Sequence, residues 1–452
     1  MREGEAGHNI SNQGTIGDTL RSQTVLPELD RIAEQAVQNP KLVFTTLAHH
    51  IDEAFLHEAY NRTRKDAAAG VDKVTVCEYM KNLDGNLCDL YKRMRTGGYK
   101  AQPVRRVWLE KDDKSKRPIG IPVLEDKIVQ RAVVMLLEAI YEPIFYGLSY
   151  GFRRRLNAHK ALSALREQMR GLNIKWILDV DVSGYFDSIP RDLLLGVVRE
   201  RMNDGALLRF IGKWLNAGVQ HETGELEHSS SGTPQGGVIS PILSNIFLHK
   251  VLDDWFEREV KPKMRGCCFL IRYADDFVIG FEDESDAHRV MEVLPKRFSR
   301  FGLTIHPTKT KLVPFGRPGK YHVSGKGEGT FDFLGFTHYW ARSLRGKWII
   351  KRKTMGKRLR RTLKRLWAWC KGNRHLPMRE QYRTLYAKLR GHYQYFGLRS
   401  NYKMLEVVYE YVEKTWRHWL GRRCSKGLLS WETFEKYQVI FPLPKPRIVH
   451  NI

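Results

Sequence analysis

The sequence predicts a mixed α/β (α+β) fold: a unit built around an antiparallel sheet over residues 49–340, followed by a helical region. Three observations carry this expectation. The apolar, β-branched run 267–280 is interrupted once, by Tyr273-Ala274-Asp275-Asp276, which reads as the tip of a strand–turn–strand hairpin. Residues 175–182, Lys175-Trp176-Ile177-Leu178-Asp179-Val180-Asp181-Val182, read as a buried strand with acids at alternate positions. Past residue 350 the pattern turns helical over 354–370, 377–396 and 401–420, with breaks at Lys371-Gly372-Asn373 and Gly397-Leu398.

The remaining elements follow in chain order. Residues 1–48 are an N-terminal extension, polar and flexible over about the first twenty positions, with a helical pattern near 26–37. Residues 107–111 and 117–121 read as two strands joined by the polar loop Asp112-Asp113-Lys114-Ser115-Lys116. The strand at 175–182 breaks at Ser183-Gly184 and continues as Tyr185-Phe186-Asp187-Ser188-Ile189-Pro190. Gly232-Thr233-Pro234-Gln235-Gly236-Gly237 is a loop, and Ile242, Ile246, Phe247 and Leu248 behind it give one apolar helical face. Residues 421–452 form a short closing segment that ends in a Pro-rich run. The domain expectation is therefore 1–48, 49–340, 341–420 and 421–452.

The acidic residues carry the chemistry. Adjacent carboxylates on an extended chain point to opposite faces, so Asp275 and Asp276 are not both easily buried. Ionised carboxylates side by side need a cation, although a plain Asp-Asp turn is the competing reading. A strand ending in Asp181, brought beside the hairpin, supplies a third carboxylate. Hard oxygen ligands of this kind suit magnesium, and a pair of such ions serves in-line phosphoryl transfer.

Charge points to a polyanionic partner. The chain has 76 Lys and Arg against 50 Asp and Glu, net +26. Residues 341–452 hold 28 of those bases and 6 of the acids, so nearly all of the excess lies there. The densest stretch, 351–365, is costly without an anion to neutralise it. Aromatic residues interleaved with the bases recur at helical spacing, which favours packing for most of them. Six cysteines without a Cys-x-x-Cys pair favour reduced thiols over a zinc site, and a cytoplasmic setting. No run has the length of a membrane span, and the N-terminus lacks the apolar core of a signal peptide.

From about residue 50 onward the chain resembles the group II intron-encoded reverse transcriptases, or maturases, in the form lacking a C-terminal endonuclease domain. The resemblance rests on Ala68-Ala69-Gly70-Val71-Asp72, Arg117-Pro118-Ile119-Gly120-Ile121-Pro122, Glu125-Asp126-Lys127-Ile128-Val129-Gln130 and Ser149-Tyr150-Gly151-Phe152-Arg153. It continues through the segment 181–187, the Gly232 loop, Tyr273-Ala274-Asp275-Asp276, Phe333-Leu334-Gly335-Phe336 and Pro442-Leu443-Pro444-Lys445-Pro446-Arg447-Ile448.

The resemblance implies a right-hand polymerase, with fingers and palm around the antiparallel sheet and an α-helical thumb at 341–420. It implies that Asp181, Asp275 and Asp276 bind two Mg2+ ions, for which Mn2+ can substitute. Phe186 lies under the sugar and disfavours a 2′-hydroxyl, Lys111 and Arg117 grip the triphosphate, and Gln235 contacts the nucleotide through sugar or phosphate. Lys309 is a candidate general acid near the leaving pyrophosphate, or a solvated loop lysine.

The implied partners are an RNA template (a group II intron RNA), a DNA or RNA primer and dNTPs, with a homodimer as an open option. The implied activity is RNA-directed DNA synthesis, together with help in splicing the host intron. A relative recruited to phage defence or DNA repair, or an RNA-binding splicing cofactor without polymerase activity, are the alternatives. Two departures stand out. No Cys/His nuclease module follows the match, so the chain is expected to need a pre-existing primer. After Arg153 comes Arg154-Arg155-Leu156-Asn157 where many family members have a Pro-Gly turn.

Overall fold

The computed structural model describes residues 16–110, 116–227, 232, 236–319, 326–423, 427 and 429–452. The chain divides into two compact units. The first comprises Met1–Gly147, Ser183–Asp253 and Phe298–Thr304; the second comprises Leu148–Val182, Asp254–Arg297 and Ile305–Ile452.

The first unit is organised around the helix Leu124–Tyr141, on which the helices Ile16–Gln38, Glu53–Asn61 and Ser240–Leu248 pack. Its apolar residues, among them Ile128, Ala132, Met135, Leu136, Leu137 and Ile140, are buried around its circumference, as expected of a helix enclosed by others. The polar residues it buries have partners: Asp126 accepts from the Tyr99 hydroxyl at 2.6 Å, and Lys127 donates to Ala68 O at 2.6 Å. The two predicted strands are present as β1 (Val104–Glu110) and β2 (Lys116–Ile121), paired antiparallel. They join β4 (Val219–Gln220) and β5 (Leu226–Glu227) in the order β2-β1-β4-β5, with β1 and β4 parallel. One pairing thus departs from the purely antiparallel expectation. The N-terminal helix starts at Ile16, so residues 16–20, expected to be flexible, are helical. Their polar composition lacks the apolar spacing that makes a helix visible in sequence.

The second unit holds two antiparallel sheets. One has the order β6-β7-β3-β8, from β6 (Cys268–Tyr273), β7 (Asp276–Phe281), β3 (Trp176–Val180) and β8 (Lys311–Pro314). The other runs β11-β10-β9, from β9 (Lys326–Phe333), β10 (Phe336–Arg342) and β11 (Trp348–Thr354). Ile177, Phe269, Ile271, Val278, Phe315, Phe331, Phe336 and Trp340 form a common core, capped by the helix Ala158–Gly171 through Leu162 and Leu165.

The three predicted helices are Gly356–Gly372, Met378–Phe396 and Tyr402–Gly421. They close over Leu366, Leu385, Leu389, Leu405, Val408, Val412 and Trp416, whose indole donates to Gln381 Oε1 at 3.0 Å. A fourth helix not foreseen in the sequence, Trp431–Ile440, adds Phe434 to this core. The last residues return to the same unit, where His450 bridges Leu398.

His338, on β10, is enclosed and stacked on Phe331, with ring centroids 4.7 Å apart. Burial and then the charge of Arg352 push its imidazole down to about 3, so it is neutral in the folded chain. The unfolded chain protonates this histidine first, near pH 6.5, so stability is full above that pH and is lost as pH falls toward 3. Between pH 7 and 5 the loss from this group is about 2 kcal/mol. His338→Phe, which keeps the stack, is expected to flatten the dependence of thermal midpoint on pH over that interval, as measured by circular dichroism. An unchanged dependence would contradict the assignment.

Candidate active site

The acidic hairpin forms as its sequence pattern predicts. β6 and β7 pair up to Tyr273 opposite Asp276, leaving Ala274 and Asp275 as a two-residue turn. Such turns require a positive φ at the first central position, and Ala274 takes it, at +58°. For an alanine this conformation costs about 1–2 kcal/mol. On its other side β7 pairs with β3, ending at Val180 opposite Phe277. One step further along the two antiparallel strands stand Asp181 and Asp276. The ladder therefore sets these two carboxylates next to each other, with Asp275 beside them at the tip.

The segment after residue 304 braces this end of β3. Asp181 O accepts from His306 N at 2.8 Å, and Asp181 N donates to Thr310 Oγ1 at 3.4 Å. Lys309 Nζ lies 3.1 Å from Asp181 Oδ2. Both side chains reach solvent, so this ion pair adds little stability. Its effect is local: it sets a cation against one of the three carboxylates.

The electrostatics record the crowding of like charge. The Asp276 carboxyl is pushed up to about 6, first by desolvation, then by Asp275 and Asp181, with Arg358 opposing. Asp276 opens its strand, where the residue keeps an exposed side. Asp179 is pushed up to about 7 by burial, then by Asp276, Asp332 and Asp181, with Lys311 opposing. Among the described residues, no three His, Cys, Asp or Glu side chains converge closely enough to form a metal site as they stand. The carboxylates are near enough to repel one another without being gathered into a cage.

Two members of this environment were not singled out from the sequence. Asp179 was visible as the other acid of an alternating pair. Alternation does place it on the same side of the strand as Asp181. Arg358, in the first turn of the helix Gly356–Gly372, sits in the basic run 351–365, and nothing in the linear pattern distinguishes it from its neighbours.

The first unit gathers the other candidates. Arg117 is exposed on β2, opposite Leu109. Phe186 is buried in the short helix Tyr185–Ser188, against Tyr185 in an edge-to-face contact at 5.3 Å. The Tyr185 hydroxyl donates to Ser244 O at 2.9 Å, tying this turn to the helix Ser240–Leu248. The Gly232 loop docks at both ends. Gly232 N donates to Ile189 O at 3.0 Å, just past the Phe186 turn. Gly236, at φ +112°, lies against β2 so closely that a Cβ there would stand 2.4 Å from Gly120 O. The strand of Arg117, the glycine loop and the Phe186 turn are thus drawn together. Lys111 and Gln235 lie outside the described residues.

Comparison with known proteins agrees with this architecture. The family model "Reverse transcriptase (RNA-dependent DNA polymerase)" matches residues 109–338. The chain belongs to the reverse transcriptase family. Its resemblance to the group II intron-encoded members is borne out by its relatives. It is 33% identical over 281 residues to the group II intron-encoded protein LtrA of Lactococcus lactis subsp. cremoris, covering 60% of this chain and 46% of that protein. It is 36% identical over 252 residues to protein YkfC of Escherichia coli K12, covering 53% and 65%. It is 26% identical over 478 residues to a putative COX1/OXI3 intron 1 protein of Saccharomyces cerevisiae, covering 89% and 55%. The chain spans about half the length of the curated relatives it matches.

Gly236→Ala is expected to destabilise the first unit by about 1–3 kcal/mol, because a side chain there is strained and meets the Gly120 carbonyl. A urea unfolding curve that does not move would show that the loop does not dock on β2.

Proposed function

We propose that the chain is an RNA-directed DNA polymerase of the group II intron type, copying an RNA template from the 3′-hydroxyl of a DNA or RNA primer. The observation that carries this reading is the ladder register that makes Asp181 and Asp276 neighbours beside Asp275, within a chain matched by the reverse transcriptase family model. In the overall reaction the primer 3′-oxygen bonds to the α-phosphorus of a dNTP and pyrophosphate leaves.

The donor set fits magnesium: three hard carboxylates, of which Asp276 holds its proton more tightly, first through desolvation and then because of the other two. Asp181, Asp275 and Asp276 would hold it, with manganese as a substitute. When bound, such ions supply the Lewis-acid charge that phosphoryl transfer needs.

The remaining roles belong to the chain's own side chains. Arg117 and Lys111 offer cations to the triphosphate, the guanidinium as a fork and the ammonium as a point charge. The Gly232 loop with Gln235 meets the nucleotide through backbone and carboxamide. Phe186 bounds the sugar and excludes a 2′-hydroxyl. Lys309, paired with Asp181, can pass a proton to the leaving pyrophosphate. Residues 341–420 act as a thumb, and 421–452 extend its nucleic-acid surface, both supported by the positive charge concentrated there.

The relatives named for introns support binding of an intron RNA, with assistance to its splicing and mobility. A cytoplasmic setting and, as an option, a homodimer complete the proposal. Among the described residues, no helix is long and apolar enough to cross a membrane.

The test is extension of oligo(dT) on poly(rA) by the purified chain with Mg2+ and dTTP. The chain should make product. The Asp275→Asn/Asp276→Asn double variant should lose it while still binding the RNA in a filter assay. Extension by the double variant, free of contaminating polymerase, would sink the proposal. RNA binding by the parent without any product would instead favour a splicing cofactor.

A further inference from the structure

The motif Ser149-Tyr150-Gly151-Phe152-Arg153 takes no part in the chemistry described so far, yet it lies against the acidic turn. Tyr150 N donates to Arg272 O at 2.9 Å, and Arg272 N donates to Leu148 O at 2.9 Å, so the motif enters alongside the end of β6. Arg153 Nη1 donates back to Ser149 O at 2.8 Å and closes the motif on itself. Gly151 then meets Ala274 backbone to backbone: a Cβ on Gly151 would stand 2.2 Å from Ala274 N and 2.9 Å from Tyr273 C. No side chain fits there. Arg272, which is 0% exposed, donates from Nη1 to Ala274 O at 3.1 Å.

Two contacts therefore converge on one residue. Ala274 is held at its amide end by a glycine contact and at its carbonyl by a buried guanidinium, in a left-handed conformation that alanine does not favour. The next two residues are Asp275 and Asp276. A turn free to relax would let those carboxylates swing. A turn clamped at both ends of its first peptide pair sets the direction in which the chain leaves Ala274.

We propose that Gly151 and Arg272 are positioning residues that clamp Ala274 and so aim Asp275 and Asp276 at the bound divalent cation. The proposal rests on the reading of these aspartates as the metal-binding carboxylates. Both act through the backbone of the turn. Partners of metal ligands commonly contribute about ten- to a hundred-fold in metal affinity or activity.

The test uses the full chain and two readouts, Mn2+ binding followed by electron paramagnetic resonance and dTTP incorporation on poly(rA)·oligo(dT). Arg272→Lys keeps the charge and loses the fork. It is expected to weaken Mn2+ binding and lower kcat by about ten-fold each. The KM for dTTP should stay within about two-fold, because nucleotide binding is not what the clamp controls. Gly151→Ala drives a methyl group into Ala274 and should lose about a hundred-fold in kcat. Parent-like Mn2+ binding and kcat in a folded variant of either kind would overturn the proposal. If both variants fail to fold, the pair serves folding and not positioning, which also overturns it. If the parent extends no primer, the polymerase reading has failed, and Mn2+ affinity alone decides this one.

Discussion

The pairing of β3 with β7 is the constraint on which the candidate site depends. β7 is flanked on both sides, by β6 and by β3, and its Phe277, Val278 and Ile279 are buried. Cross-strand partners such as Leu178 opposite Ile279 lock the register through shared apolar contact. A one-residue slip would turn those side chains to the wrong face, so the register is strongly specified. The carboxylates stand where the ladder stops, and their adjacency follows from a packing decision made inside the sheet. Burial of each large apolar side chain contributes about 1.5–3 kcal/mol, which offsets the mutual repulsion of a few acids at the margin.

That repulsion is distributed and only partly cancelled. Asp179 and Asp276 both hold their protons more tightly than an ordinary aspartate. Lys309, Lys311 and Arg358 each oppose the excess from a different element: the loop before β8, β8 itself, and the first helix after the second sheet. The unit therefore combines a local negative centre with the most basic quarter of the chain. A divalent cation suits the centre, and a phosphodiester backbone suits the surrounding charge. The clamp on Ala274 belongs to the same logic: groups that repel are kept aimed by backbone contacts, not by their own preferences.

Much of this is legible in the sequence. The hairpin, the strand ending near Asp181, the strand pair carrying Arg117 and the three late helices all announce themselves through local periodicity and turn chemistry. What stayed hidden has a common character. The parallel pairing of β1 with β4 joins segments far apart in the chain. The helix Trp431–Ile440 has a weak apolar face, and it is anchored mainly by Phe434 inside a core built by other helices. Asp179 and Arg358 gain their meaning from what faces them, and Gly151 from an approach to Ala274 that no spacing rule reveals.

Taken alone, the sequence determined the chemistry on offer: which residues are acids, which stretch is cationic, which runs are strands, and the family to which those motifs belong. These are local properties, written in composition and in periods of two and 3.6 residues. The tertiary structure decided which acids are neighbours, which bases face them, and what holds their turn still. Those facts depend on strand register and on backbone contacts between remote segments. They exist only once the apolar faces have packed.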